Sequence, residues 1–290
     1  MDSQPLVSII CLCYNQKKYV GAAIRSALAQ TYANIELIVV DDGSTDGSNE
    51  EIRNELAGTT IEFIDLPENI GNCAAFNKGL ARSTGEFIID LAADDLLLPL
   101  RLEIGIQDFD EAGPKAGVHF SDALIIDESA QPLGTHYRRN KDGKIEGHVP
   151  VGDVYIDLIG KYYICPPTMM SRRAVYESLG GYDEALEYED FDFWMRSSRD
   201  FEYIFNPTPL VKYRKVQGSH GASQRVIRNK HTNSTLKVCQ KIAQLNRSIE
   251  EDEELRKRCW YEIRQCLRTL NLEPINNYFS LIKTIQRRTF

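Results

Sequence analysis

Two short runs near the start, Val7-Ser8-Ile9-Ile10-Cys11-Leu12-Cys13 and Ile35-Glu36-Leu37-Ile38-Val39-Val40, are apolar almost throughout, rich in β-branched residues, and stop at polar ones. Strands buried on both faces read this way, and such strands belong to parallel sheets covered by helices. Between the runs, Val20, Ala23, Ile24, Ala27 and Leu28 recur at helical spacing and supply the crossover of a right-handed βαβ unit. The alternation continues with a helix near 46–57, a strand near 60–65, a helix near 73–83 and a strand at Glu86-Phe87-Ile88-Ile89-Asp90-Leu91. An α/β sheet with helices on both faces is expected, with ligands beyond the carboxyl ends of its strands.

Past Pro99, which can open a helix near 99–111, the pattern predicts a strand around 117–126 and a loop or hairpin over the polar stretch 128–152. Ser171 is expected to begin a short helix that Gly180-Gly181 ends, and a second helix runs over 189–199. A strand-like segment passes through Val211 and Tyr213. From Arg225 onward there are 14 Lys and Arg against 7 Asp and Glu, a balance of +7 that leaves −15 for residues 1–224 within a net charge of −8. The expected division is an acidic body over 1–224, with halves at about 1–98 and 99–224, and a basic helical extension over 225–290. In its last segment Ile275, Tyr278, Phe279, Ile282 and Ile285 share a face, with Lys283, Arg287 and Arg288 nearby. Packed and membrane-surface helices share that pattern, and packing is the preferred reading because core-facing amphipathic helices are commoner.

An acidic body argues against general nucleic-acid binding, which needs a basic face for phosphates. No run of 18 or more apolar residues occurs, and Met1-Asp2-Ser3-Gln4-Pro5 lacks the basic start of a secretory signal, so a cytoplasmic protein is expected, with peripheral contact at the inner membrane face open to the extension. The seven cysteines show no C-x-x-C pair and no zinc spacing, and read as reduced, buried thiols.

Three acidic clusters carry the chemistry. Asp41-Asp42-Gly43-Ser44-Thr45-Asp46 follows the second strand, where a nucleotide would sit, although a turn with a helix cap would use the same residues. Asp94-Asp95 follows a later strand; adjacent carboxylates repel, and Mg²⁺ or Mn²⁺, an oxygen-seeking ion able to bridge the phosphates of a leaving diphosphate, is the economical compensation. A solvated start to the Pro99 helix is the plainer alternative. Glu189, Asp190 and Asp192 open an aromatic-rich helix; they complement its dipole, or one is a general base on a rigid mount.

Together these clusters and the βαβ units resemble the family 2 glycosyltransferases, nucleotide-sugar enzymes of the GT-A fold. The resemblance runs from Val7 to about Ser223 through Tyr14-Asn15, Ser26 to Gln30-Thr31-Tyr32, Val39-Val40-Asp41-Asp42-Gly43-Ser44-Thr45-Asp46, Asn69-Ile70-Gly71, Ala75, Asn77-Lys78-Gly79 and Gly85-Glu86-Phe87-Ile88. It continues in Gly180-Gly181-Tyr182-Asp183-Glu184, Tyr188-Glu189-Asp190-Phe191-Asp192-Phe193-Trp194-Met195-Arg196 and Tyr213-Arg214. It implies a mixed, mostly parallel sheet flanked by helices, a UDP-sugar or other nucleotide diphosphate donor, and inversion at the anomeric carbon. By position, Tyr14 and Asn15 would lie at the base, Asp42 would accept from the base ring with Asp41 supporting it, and Asn77 would serve the donor site. Asp94 would contact ribose or donor sugar and share the metal with Asp95, Asp190 would be the general base, and Glu189 would position a substrate.

Two positions depart from the family pattern. Ala92 stands where an acidic residue often precedes the middle Asp, and Val216 where a His often follows the Tyr-Arg pair, with His220 a possible substitute. A catalytically silent nucleotide-sugar or glycan binding module is the alternative these departures favour. A nucleotidyltransferase ranks lower, because Lys17 and Lys18 lack a Gly-rich lead for gripping a triphosphate. Without Gln-x-x-Arg-Trp or membrane helices, transfer of a single sugar to a saccharide or lipid-linked saccharide, in polysaccharide or glycan biosynthesis, is expected rather than processive synthesis.

Overall fold

The structure is a computed structural model that describes residues 4–216 and 231–288. β1 (Val7–Cys13) runs parallel to β2 (Ile35–Asp41) and to β4 (Phe87–Ala92), and β3 (Glu62–Asp65) extends the parallel set beside β2. The helices between them are α1 (Lys17–Leu28), α2 (Ser48–Glu55) and α3 (Asn72–Arg82). Alternate residues of β1 point to opposite faces. Ile9 and Cys11 pack with Ile24 of α1 and Ile52 of α2, while Ile10 and Leu12 pack with Phe76 of α3.

The second half adds β5 (Leu96–Leu97), α4 (Arg101–Ala112), β6 (Ala116–Ile126), β7 (Pro132–Thr135), α5 (Tyr155–Gly160), β8 (Met170–Arg172), α6 (Arg173–Leu179), α7 (Asp190–Ser197) and β9 (Glu202–Arg214). The sheet order is β3-β2-β1-β4-β8-β6-β9-β5, with β7 beside β6. It is the mixed, helix-flanked sheet expected from the sequence. One expectation is corrected. Ser171 does not begin a helix: it lies in the middle of β8, paired with Ile88 on one side and Val118 on the other, and α6 begins only at Arg173. Three residues have no periodicity of their own, so pairing with β4 and β6 decides their conformation. β9 is long and contains Pro207 and Pro209, which coincide with the register shifts around Asp122, where prolines are tolerated in a sheet.

Three helices follow, α8 (His231–Leu245), α9 (Ile249–Arg268) and α10 (Ile275–Ile285). Ser248 caps α9 by accepting the Glu251 N–H at 3.2 Å, and Glu250, Glu251 and Asp252 complement its N-terminal dipole. Cys239, Ile242, Leu255, Cys259, Ile263, Tyr278 and Ile282 join the same apolar cluster as Phe76, Tyr155 and Phe193, so the last helix does pack. All seven cysteines are free and buried.

Polar contacts lock the extension to the body. Arg199, after α7, forms a bidentate pair with Glu251 at 3.0 Å, both side chains about nine-tenths buried, and its guanidinium lies 3.3 Å above the centre of the Tyr155 ring. The Tyr155 hydroxyl donates to Asn246 (2.7 Å), which donates to Asp252 (2.8 Å). Arg199→Ala leaves the Glu251 charge buried without its partner, and should cost about 3–5 kcal/mol in urea unfolding. A loss below about 1 kcal/mol would show that the extension does not depend on this pair.

Candidate functional site at the carboxyl edge of the parallel strands

The parallel strands end together: Cys13 is level with Asp41, and Leu12 with Ala92. Beyond them the chain diverges into three loops that carry most of the predicted residues. The first two are sewn to each other. Asn15, at φ +53°, donates its N–H to Ser44 Oγ (2.8 Å) and accepts the Thr45 N–H through Oδ1 (2.8 Å). Asp41, fully buried, accepts the N–H and hydroxyl of Ser44 at 2.9 and 2.6 Å. Asn15 and Asp41 thus shape the loop, and Tyr14, 46% exposed, presents a ring at its edge. Gly43 has φ +69°, and a Cβ there would lie 2.3 Å from the Glu68 carbonyl carbon, so glycine is required both by conformation and by the closeness of the next loop.

That next loop grips Asp42, whose carboxylate accepts from Asn69 Nδ2 (2.9 Å), Ile70 N–H (2.7 Å) and Gly71 N–H (3.1 Å). Burial pushes its carboxyl up more than the Ile70 and Gly71 bonds pull it down. A carboxylate offers about four acceptor positions, so room remains for one further donor such as a base N–H. Asn77 lies lower on α3. Its Nδ2 donates to the Tyr182 carbonyl and to Glu184 Oε1, and its Oδ1 accepts the Tyr182 N–H, all at 2.9 Å, so it pins the 182–184 segment rather than joining the strand-end residues.

After β4, Asp95 is buried and Asp94 half-buried. Arg214 at the end of β9 binds this turn: its N–H donates to Asp95 Oδ1 (2.7 Å), its Nε to the Asp94 carbonyl (2.8 Å), and its guanidinium also reaches the Asp127 carbonyl (3.0 Å). Burial, followed by the Asp94 charge, holds the Asp95 carboxyl well above the usual carboxylate range.

The third acidic cluster reaches the same edge through Asn72, directly after Gly71: its Nδ2 donates to Glu189 Oε2 at 2.6 Å. Asp190, the first residue of α7, has a buried Oδ1 without a hydrogen-bond partner among the described residues. Burial, then the Glu189 charge and a bond to that carboxyl, then Asp90, raise the Asp190 carboxyl well above its ordinary value. Asp192 is different in kind: Arg196 and Lys241 each bind one of its oxygens at 2.6 Å, so it anchors α7 to α8. Tyr213 links the clusters; burial and the fields of Asp95, Cys165, Asp94 and Asp190 push its hydroxyl up to about 12.

Asp90 is the site residue that motif reading passed over. It lies on the face of β4 that also carries Ile88 and Ala92, accepts the Tyr182 hydroxyl at 3.2 Å, and is raised by burial and by Glu189. A carboxylate in the middle of Phe87-Ile88-Ile89-Asp90-Leu91, an otherwise apolar buried run, was the available signal.

The sequence profile described as Glycosyl transferase family 2 matches residues 8–179. The chain belongs to that family. An uncharacterized glycosyltransferase of Rickettsia felis is 32% identical to this family 2 glycosyltransferase over 222 residues, 74% of the present chain and 35% of the relative. An uncharacterized glycosyltransferase of Haemophilus influenzae is 30% identical over 243 residues, 82% of this chain and 72% of its own. The chain thus spans about a third of the first relative's length. Among solved structures, S. aureus TarS 1–349 in complex with UDP-GlcNAc superposes with a TM-score of 0.72 at 18% identity, covering 96% of this chain and 80% of TarS. The mannosyltransferase PcManGT of Pyrobaculum calidifontis, in complex with GDP-Man and Mn²⁺, superposes with a TM-score of 0.64 at 16% identity, covering 98% and 83%. These likenesses show a GT-A fold for this glycosyltransferase.

Among the described residues of the glycosyltransferase no group of three or more His, Cys, Asp and Glu side chains is arranged to hold a metal ion. Asp94 and Asp95 supply two adjacent carboxylates, a donor set suited to Mg²⁺ or Mn²⁺ when substrate phosphates and water complete the shell. The buried, crowded Asp95 carboxyl fits that use, since a cation would offset both causes of its raised proton affinity. Val216 offers no ligand, and His220 lies outside the described residues. No described helix is long and apolar enough to cross a membrane.

Proposed function

We propose that this glycosyltransferase moves a single sugar, with inversion, from a nucleotide diphosphate donor of the UDP-sugar class to a hydroxyl of a saccharide or lipid-linked saccharide in polysaccharide or glycan biosynthesis. The observation that carries the proposal is the half-buried Asp190 carboxyl beside Glu189 and Asp90, whose buried Oδ1 has no hydrogen-bond partner among the described residues. Such a group costs stability. A general base fits that environment, because it must take a proton from an acceptor hydroxyl and hold it well.

In this reading Tyr14 and Asp42 hold the base, with Asn15 and Asp41 shaping their loop, and Asp94 contacts ribose or donor sugar. Asp95 and Asp94 would hold a divalent cation, Mn²⁺ or Mg²⁺, which when bound neutralises charge on the leaving diphosphate. Asp190 takes the acceptor proton as the hydroxyl oxygen attacks the anomeric carbon opposite the leaving group, and Glu189, fixed by Asn72, orients the acceptor. A silent binding module is the second reading, favoured by Ala92 and Val216. The unpartnered Asp190 oxygen weighs against it, since a binder gains nothing from keeping it.

Product analysis tests the reaction. With donor, Mn²⁺ and a saccharide acceptor, NMR should show one added residue of opposite anomeric configuration to the donor. A retained configuration would overturn the inverting mechanism, and a long product ladder would overturn single transfer.

A further inference from the structure

Between Gly181 and Asp190 the chain makes turns but no helix or strand, yet it delivers Glu189 and Asp190 to the edge of the site. Backbone of this kind keeps its place through what it bonds to on either side. On one side stands α3. Asn77 holds Tyr182 and Glu184, the Cys73 thiol donates to the Leu186 carbonyl at 3.5 Å, and Asn72, where α3 begins, holds Glu189. On the other side stands α8, the first helix of the extension.

α8 meets the segment residue by residue. Lys237 Nζ donates to the Ala185 carbonyl (3.0 Å), Ser234 Oγ accepts the Glu187 N–H (3.0 Å), and the Thr235 and Tyr188 hydroxyls share a hydrogen bond (2.6 Å). Further along the helix, Lys241 Nζ donates to Asp183 Oδ2 at 2.5 Å and to Asp192 Oδ1 at 2.6 Å. Ser234, Lys237 and Lys241 are spaced i, i+3 and i+7, which puts them on one helix face. Asp183 stands seven residues before Asp190 and Asp192 two after it, so a single ammonium closes a staple across the stretch that carries the base. Behind α8, the buried Arg258 of α9 places its guanidinium 4.5 Å from the centre of the ring of Phe191, the residue next to Asp190. Asp42 and Asp95, on the nucleotide side, are held instead by residues 69–71 and by Arg214.

We infer that α8 positions the base, with Lys241 as the principal positioning residue: it sets where Asp190 stands and leaves nucleotide binding to other contacts. This rests on the reading of Asp190 as the general base.

The test uses the full chain. Lys241→Met keeps the reach of the side chain and removes the ammonium. With donor, Mn²⁺ and a saccharide acceptor it should lower kcat by about ten- to a hundredfold, the scale of a misplacement of about 1 Å. The donor KM and nucleotide binding should not change, and Lys241→Arg, which keeps the charge, should recover most of the loss. In an Asp190→Asn background Lys241→Met should cost no further turnover, because an absent base cannot be misplaced. Hydrogen exchange needs no substrate: the amides of 183–189 should open at least tenfold faster in Lys241→Met, while those of α1 keep their wild-type protection. Should Lys241→Met fail to fold, Ser234→Ala, which deletes one oxygen, takes its place in the same measurements. Unchanged kcat, an equal loss in both backgrounds, or exchange that is unchanged at 183–189 or faster throughout the chain overturns the inference. If Asp190→Asn is itself fully active, the reading of the base has failed and the inference falls with it. If Asp190→Asn is inactive and Lys241→Met fully active, the inference alone has failed.

Discussion

Asp190→Asn should reduce turnover by about 10²- to 10⁴-fold, the contribution of a well-placed base, while nucleotide binding survives. The same substitution should raise stability at neutral pH. Asp190 is held well above its ordinary carboxyl range by burial, by Glu189 and by Asp90. The folded protein therefore binds this proton more tightly than the unfolded chain does. Its contribution to stability is fully present below the unfolded value, about 4, and is lost as pH rises from there through the folded one. Asparagine removes that dependence, so the variant should gain on wild type as pH rises from about 4 through the folded value and have no such advantage below about 4. Thermal melts across that range, paired with turnover, check both halves. A variant that is less stable at neutral pH and fully active would place the base elsewhere, with Glu189 the next residue in line and Asp192 excluded by its bonds to Arg196 and Lys241.

Asp95→Ala should abolish stabilisation by nucleotide diphosphate and Mn²⁺ together. A ligand at 100 times its dissociation constant stabilises the folded state by about 2.7 kcal/mol. Wild type should show the corresponding upward shift in melting temperature only when metal and nucleotide are both present. The variant should show little or none. Because Asp95 also accepts the Arg214 N–H, the ligand-free variant will start from a lower melting temperature, and the ligand-induced difference is the quantity to compare. A full shift in Asp95→Ala would remove this carboxylate from the metal site.

The parallel half of the fold was legible because its strands are buried on both faces and write continuous apolar runs, and because Asp41-Asp42 and Asp94-Asp95 stand at their ends. β5, β8 and α5 were not, being two to six residues long and defined by what they pack against. At the site, motif spacing located the loops but not the work of each side chain. Asp41 and Asn15 spend their bonds on the turn between two loops, and Asn77 spends its amide on the 182–184 backbone, details that only the neighbouring chain supplies. Asp90 carries no motif in this sequence, and its meaning appears only when Tyr182, Glu189 and Asp190 close over it.

One route of contacts unites the site: Asp42 is bonded by Gly71, Asn72 follows and holds Glu189, and Asp190 opens the next helix. A nucleotide at Asp42 and a base at Asp190 thus share a frame, which is the central claim. Calorimetric titration of UDP, GDP, TDP and CDP into the wild-type protein, with and without Mn²⁺, tests it most directly. The account predicts metal-dependent binding of one of these nucleotides, unaltered in Asp190→Asn. No binding of any of them under either condition would contradict it.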